Sequence, residues 1–322
     1  FTTIPTQVAA AKLPEYGKSV PEADLEEEVT DALTEEEIEK KEVKEEVTEE
    51  KEAASEILAL EENGVAVQTE CTHPNATETR CPDCGMTWCI KDDKGTKYSS
   101  FRDALANVTD GSTLTLLQDV NDGENNYVYG NFTIDTGNYK IIVNNIFIKS
   151  GAALTFKGAG SVAYSVSVSS GGKLILPTEW TGTIRNIVLS GSEPGLDMKS
   201  GTVNNLVLGT DGSNGTILIS GGTFKQISNR CNEEISVKGF LKEYYAFKQG
   251  MGMLTYDTEI PYNRDLTNIT VVLCEEHRDK DGNNLCDFCN QGFTACVQTT
   301  DKDGNTANYS GLQGAFNEAQ DD

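Results

Sequence analysis

Histidine is almost missing from this chain: there are two in 322 residues, against nine cysteines. Chemistry that relies on an imidazole therefore has only His73 and His277 to draw on. Basic residues are also scarce, 26 Lys and Arg against 51 Asp and Glu, for a formal net charge of -25. None of the cations cluster, which argues against a nucleic acid or an anionic membrane as partner, since phosphate binding needs grouped Lys and Arg. No run approaches the ~18 apolar residues of a spanning helix, so no membrane insertion is expected. Hydrophobic content, 37%, is low for a chain folded throughout, and the deficit is local.

The deficit sits at the front. Between Glu22 and Glu62 there are 19 acidic residues against Lys40, Lys41, Lys44 and Lys51. Good helix formers with no internal Gly or Pro, but only a broken apolar stripe, predict a solvated, partly helical or disordered spacer over 21–66. The alternative is a coiled-coil or partner-binding helix. Ahead of it, 1–20 is either a disordered terminus or the remnant of an export signal ending in Val8, Ala9, Ala10 and Ala11.

What is present is periodicity. Cys71, His73, Cys81 and Cys84, in a segment spanning 67–97, return as Cys274, His277, Cys286 and Cys289, in 274–322. In each copy a further Cys (Cys89, Cys296), a Tyr and a short amphipathic run follow, so the chain reads as one module plus the start of another. Three thiolates and an imidazole are the donor set of a closed tetrahedral zinc site, and structural zinc is the expected cofactor of both frames. Disulfides are the competing reading in an oxidising compartment, with Cys89 to Cys231 as one candidate pair. The DKDGN strings at 279–283 and 301–305 read as turns rather than calcium loops. The twelfth position of an EF-hand loop would fall on Asn290 or Leu312, not Glu.

Between the two frames the chain carries a repeat of about twenty residues. Leu114, Ile134, Leu154, Leu174, Met198 and Leu218 recur behind Gly111, Asn131, Gly151, Gly171, Gly195 and Gly215. A second column runs Val162, Ile184, Val203, Phe224. A third pairs Ile146/Ile148, Val166/Val168, Ile187/Leu189 and Leu206/Leu208 before ending at Ile227. Three strands and three corners in about twenty residues make a coil whose turns stack at the strand spacing of about 4.8 Å. The predicted fold is mainly β: a right-handed parallel β-helix of about six rungs over 98–230, with an N-terminal capping helix within Lys97–Asn107 and a C-terminal cap at 231–273. The polar column Asn145, Ser165, Asn186, Asn205 and Gln226 could form a hydrogen-bonded ladder.

The stretch from Tyr98 to Val120, a Tyr-led amphipathic run, Asp-Gly and a Thr-Leu-Leu-x-Asp-Val strand, resembles the start of pectate-lyase-like right-handed β-helix modules. These occur in large repetitive surface proteins of anaerobic Gram-positive bacteria. Tyr244-Tyr245-Ala246-Phe247-Lys248 is similar to a short motif that closes such modules. The resemblance covers about Cys71 to Cys274. It implies a secreted or cell-surface location and a role as adhesin or stalk, with a host protein, immunoglobulin among the candidates, or a glycan as partner. It also implies the alternative of a polysaccharide lyase or glycoside hydrolase, because that fold hosts both. The residues argue against catalysis. Asp135, Glu179, Glu193, Asp197 and Asp211 do not align, Arg185 and Arg230 are isolated, and no nucleophile, base and orienter set is found. Tyr127, Tyr129, Tyr164 and Trp180 are scattered among the surface columns, where they could stack on sugars or anchor an interface, or could cap sheet edges and pack at corners.

Overall fold

The parallel ladders begin where the sequence repeat begins. In the computed structural model, which describes residues 72–73, 75–209 and 216–319, one sheet stacks β3 (Thr113–Leu116), β6 (Asn131–Asp135), β9 (Ala153–Lys157), β11 (Lys173–Leu176), β13 (Gly195–Met198) and β15 (Ile217–Ile219). All are parallel in that order. The facing sheet stacks β4 (Val120–Asn121), β5 (Asn125–Val128), β7 (Lys140–Ile142), β8 (Asn145–Ile148), β10 (Ser161–Val168), β12 (Thr183–Leu189), β14 (Thr202–Leu208) and β16 (Thr223–Asn229). The result is a parallel β-solenoid of about five turns. The expected 1–20 and 21–66 segments, Cys71, Gly215 and Asp211 lie outside the described residues.

The second and third apolar columns stand in the predicted registers, with Val162↔Ile184↔Val203↔Phe224 and Ile146↔Val166↔Ile187↔Leu206↔Ile227. In the later turns they lie on one continuous strand, bulged between Val162 and Ser165 in β10. The first column differs from the prediction. Leu114 stacks on Ile134, but Leu154 stacks on Phe132, and the row continues through Leu174 and Leu196 to Ile217. Successive turns are therefore 20, 22, 20, 22 and 21 residues long rather than a near-uniform 20. A two-residue slip leaves every side chain on the same face, because strands alternate with period two, so the pattern hid it. Leu218, one residue out of step, points to solvent, while Ile217 and Ile219 are buried. Positive φ falls at Gly111, Gly151 and Gly171 as the corners require, and then at Gly191 rather than Gly195.

Trp180 takes the corner-packing reading rather than the ligand-binding one. It is fully buried at a corner, 5.4 Å between ring centroids from Phe156. The room comes from glycine: a Cβ on Gly182 would meet the indole at 2.5 Å and the carbonyl of Gly160 at 2.1 Å.

Both ends of the ladder are closed by reversing strand direction. At the start, β1 (Ile90–Asp92) pairs antiparallel with β3 and with β2 (Lys97–Tyr98). Helix α1 (Phe101–Asn107), capped by Ser100 Oγ accepting the Asp103 N–H, buries Phe101, Ala104 and Leu105 against this end. At the far end, β21 (Asp265–Leu273) pairs antiparallel with β16 and with β18 (Tyr245–Gln249), the strand containing the closing motif. β19 (Gly252–Met253) adds to β18, and β17 (Ile235–Ser236) pairs with β20 (Glu259–Ile260). An open parallel edge is an aggregation site, and antiparallel pairing with a short hairpin consumes it.

Two inward column positions break the hydrophobic rule: Asn229, in register with Leu208, is fully hydrogen-bonded, whereas Asn126 is not. Asn126 stands directly under Ile146 in the third column and is buried, with its Oδ1 left unpartnered. Replacing it with the near-isosteric leucine (Asn126→Leu) continues the column and removes the orphan carbonyl. A gain of about 1 kcal/mol is expected, read as a higher midpoint in thermal and urea unfolding; a lower midpoint would contradict this account.

Candidate metal centres

The second Cys/His frame is assembled in full. Cys274 leaves the end of β21 with its N–H donating to the Tyr244 carbonyl at 2.7 Å, which ties the frame to the closing cap. His277 is fixed from both sides: its N–H donates to Ser310 Oγ at 2.8 Å and its carbonyl accepts from Ser310 N at 3.0 Å. Cys286 and Cys289 belong to a tight turn in which the Asn290 N–H donates to the Cys286 carbonyl and Cys286 N to the Gln291 carbonyl, braced by a bridge between Leu285 and Gly292. The ligand atoms converge. Cys274 Sγ lies 3.7 Å from Cys286 Sγ and 3.6 Å from His277 Nδ1, which is 3.4 Å from Cys289 Sγ. All three sulfurs are buried with Ala246 of the cap, and Phe293 stacks on the imidazole at 5.4 Å.

The first frame is built the same way. Gly85 N donates to the Cys81 carbonyl, Cys81 N to the Met86 carbonyl, and Arg80 bridges Thr87. His73 Nδ1 lies 3.5 Å from Cys84 Sγ, and Trp88 meets the imidazole edge-on at 5.2 Å, in the place of Phe293. His73, Cys81 and Cys84 form a group that could hold a metal ion, as Cys274, His277, Cys286 and Cys289 do. The fourth residue of the first frame, Cys71, is outside the described residues.

The protonation pattern fits a site made for a cation. Hydrogen bonding to Cys286 and Cys289, with burial, pushes the Cys274 thiol far above its ordinary range, while bonds from Cys274 and Cys289 hold Cys286 far below it. Three thiolates this close repel one another, and a bound cation would offset that repulsion. In the first frame the His73 imidazole lowers Cys81 to about 6.

No described cysteine is in a disulfide. Cys89 and Cys231 sit at opposite ends of the solenoid, Cys89 beside β3 and Cys231 beyond β16 with its thiol on the Gly209 carbonyl. About five strand spacings, roughly 24 Å, separate those ends, far beyond the ~7 Å limit between bridged Cα atoms. That candidate pair is therefore excluded within one chain. Burial, and then the Asp122 charge, raise the Cys89 thiol to about 11, which leaves it inert.

Likeness between the copies extends past the ligands. β23 (Val297–Thr300) and β24 (Thr306–Tyr309) form a hairpin equivalent to β1 and β2, and α2 (Leu312–Ala319) is equivalent to α1. In both hairpins an aspartate closes the turn. Asp92 Oδ1 accepts from Lys94 N and Thr96 N, and Asp301 Oδ1 from Asp303 N and Asn305 N, ahead of Gly95 and Gly304 at φ 88°. The shared Asp-x-x-Gly spacing, Asp92 to Gly95 and Asp301 to Gly304, is the sequence signal for this turn, and DKDGN at 301–305 shows only its second copy. The other DKDGN string is also a turn, leaving β22 (Arg278–Asp279): Asp279 accepts from Gly282 N and Asn284 N, and Arg278 is ion-paired with Asp287 at 2.8 Å. Asp279, Asp281 and Asp287 lie close enough to surround a cation.

Among the described residues, no group of three metal-ligating side chains lies on the solenoid itself. Asp135 faces Lys157 on the neighbouring strand and accepts from Gly137 N, and Asp197 stacks between Ile175 and Leu218. The chain matches no family model, no curated protein and no solved structure.

Two outcomes are expected. Thiol titration in denaturant should find at least the eight described cysteines free, with Cys89 and Cys231 reacting only after unfolding; a pair of oxidised cysteines within this set would contradict the structure. Burial alone would raise the Asp92 carboxyl, but the N–H of Thr96 and the Tyr98 hydroxyl outweigh it and hold it below the usual range. A carboxyl depressed on folding stabilises above its unfolded value of about 4 and loses that stability as pH falls through the folded value. Asp92→Asn should therefore cost about 1 kcal/mol at neutral pH, and the difference from wild type should close as pH falls through the lowered folded value. A gap independent of pH would show that the charge is not what matters.

Proposed function

We propose that the chain is a non-catalytic module of an exported, repetitive cell-surface protein, a stalk and binding element whose joints are zinc knuckles. This is the role implied by its resemblance to pectate-lyase-like β-helix modules of anaerobic Gram-positive bacteria. The observation that carries it is the second copy of the module head. Helix α2 carries Leu312 and Phe316 at the places of Phe101 and Leu105. The first pair is 60% and 59% exposed, the second 0% and 9%. In α1 those positions lie against the first solenoid turn, so α2 bears a face shaped for a further turn of the same kind.

Zinc is favoured over other ions by donor chemistry and by the edges of the site. Zinc bound at about 2.3 Å to sulfur and about 2.0–2.1 Å to imidazole, with tetrahedral angles, places sulfurs about 3.8 Å and sulfur and nitrogen about 3.6 Å apart. The corresponding separations here are 3.7 Å and 3.4–3.6 Å. A disulfide would hold two sulfurs at about 2.05 Å. With no open coordination position, such an ion supplies structure: it locks the turn at 286–289 to the solenoid cap, and the chain's own Phe293 and Ala246 keep water away.

The test is elemental analysis with activity assay. Two zinc ions per chain are expected, falling to one in His277→Ala and in His73→Ala, with the solenoid circular dichroism unchanged after chelation. Release of products from a polysaccharide panel would overturn the non-catalytic reading; zinc-free protein with wild-type thermal stability would overturn the metal assignment.

A further inference from the structure

The two Cys/His frames share their donors and differ in what covers them. Cys274, Cys286 and Cys289 are 4%, 2% and 3% exposed, enclosed by Ala246 and Met253 of the closing cap and by Phe288 and Phe293. In the first frame Cys81 is fully buried but Cys84 is exposed. Trp88 stands where Phe293 does, four residues past the last Cys of the motif. Phe288, between the paired cysteines, has Asp83 as its counterpart, an exposed carboxylate that accepts from Asn75 Nδ2 at 3.2 Å. The sequence ahead of this frame carries no solenoid columns to supply a cap: it is the acidic stretch with 19 Asp and Glu between Glu22 and Glu62.

Access decides which thiols an oxidant attacks, and Cys84 is the exposed one among the described ligand sulfurs. A second thiol stands beside it. Cys81 and Cys84 share one Cys-x-x-Cys turn, in which Gly85 N donates to the Cys81 carbonyl at 2.8 Å. The ligand atoms of His73, Cys81 and Cys84 all lie within 4.8 Å of one another. That spacing is the one at which protein dithiols interconvert with a disulfide.

We infer that the first frame is an oxidative modification site, at which a hydroperoxide converts Cys81 and Cys84 into a disulfide while the second frame is spared. Cys84 Sγ attacks one peroxide oxygen: an S–O bond forms, the O–O bond breaks, and the other oxygen leaves as water after taking a proton. Cys81 Sγ then attacks Cys84 Sγ, forming the S–S bond and expelling the remaining oxygen as the second water. Two thiols and one hydrogen peroxide thus give one disulfide and two waters, the sulfurs losing the two electrons that the oxygens gain. The step consumes two of the frame's donors, so the ion it holds is released; for that consequence the inference rests on the zinc-knuckle reading. Oxidant then opens the knuckle at the head of the solenoid and leaves the one beyond its closing cap intact.

The experiment treats the full chain with graded hydrogen peroxide. Zinc release is followed with a chromophoric chelator, and cysteine oxidation by differential alkylation and peptide mass mapping. The expected result is loss of one of the two zinc ions together with a Cys81–Cys84 disulfide that dithiothreitol reverses. It should form about tenfold or more faster than any oxidation of Cys274, Cys286 or Cys289. Cys84→Ser should abolish the fast phase. Asp83→Phe, which copies the cover of the second frame, should slow it several-fold, and Phe288→Asp should speed oxidation of the second frame, with unfolding midpoints reporting whether each variant is folded. The comparison of the two frames in the wild-type chain decides the matter without the variants. Equal rates, a faster second frame, a disulfide from Cys84 to a cysteine other than Cys81, or oxidation of Cys84 beyond sulfenic acid with no disulfide would overturn the inference. Untreated protein that holds no zinc yet forms the Cys81–Cys84 disulfide at the fast rate would overturn the knuckle reading and leave the modification site standing.

Discussion

Everything in this molecule depends on strands stacking in register along one axis. Each turn of the solenoid buries its apolar residues only because the next turn places equivalent residues about 4.8 Å away. The core is thus a set of columns, such as Val128, Ile148, Val168, Leu189 and Leu208, rather than a layer between two finished surfaces. Such a structure has no natural end. The chain supplies ends by turning β1 and β21 antiparallel and covering the first turn with α1, whose buried Phe101 takes the place of a preceding turn.

The joints answer a different constraint. A segment such as 274–293 is too short to bury a core of its own, and small units of this size need a metal or cross-links to hold one conformation. The second frame gathers three sulfurs and one imidazole around a common point and leans them against Ala246 of the cap. A metal bound there would couple the solenoid's closing hairpin to the next hairpin through Cys274, His277 and Ser310, without any large apolar surface between them.

Much of this was legible in the sequence because a solenoid writes its three-dimensional neighbours at a fixed distance along the chain. The third column, Ile146 through Ile227, was found residue by residue, and both Cys/His frames were visible as a repeat. The first column was misaligned because turns of 20 and 22 residues leave the same alternating pattern. Asn126 was missed because a polar residue gives no hydrophobic signal, although it stands in the column of Ile146. For Trp180 the sequence leaves surface and corner packing both open, because its burial depends on the missing side chain of Gly182, two residues on in sequence and against the ring in space.

The sequence by itself determined that the chain coils, where most of its corners fall, and that a Cys/His frame occurs twice. Periodicity and spacing are one-dimensional properties, so they survive without coordinates. Only the tertiary structure decided the register between turns and kept Cys89 from Cys231. It also brought Tyr127 onto Phe147 of the next turn. Those are relations between residues about twenty or more positions apart, fixed by strand pairing and close packing rather than by local pattern.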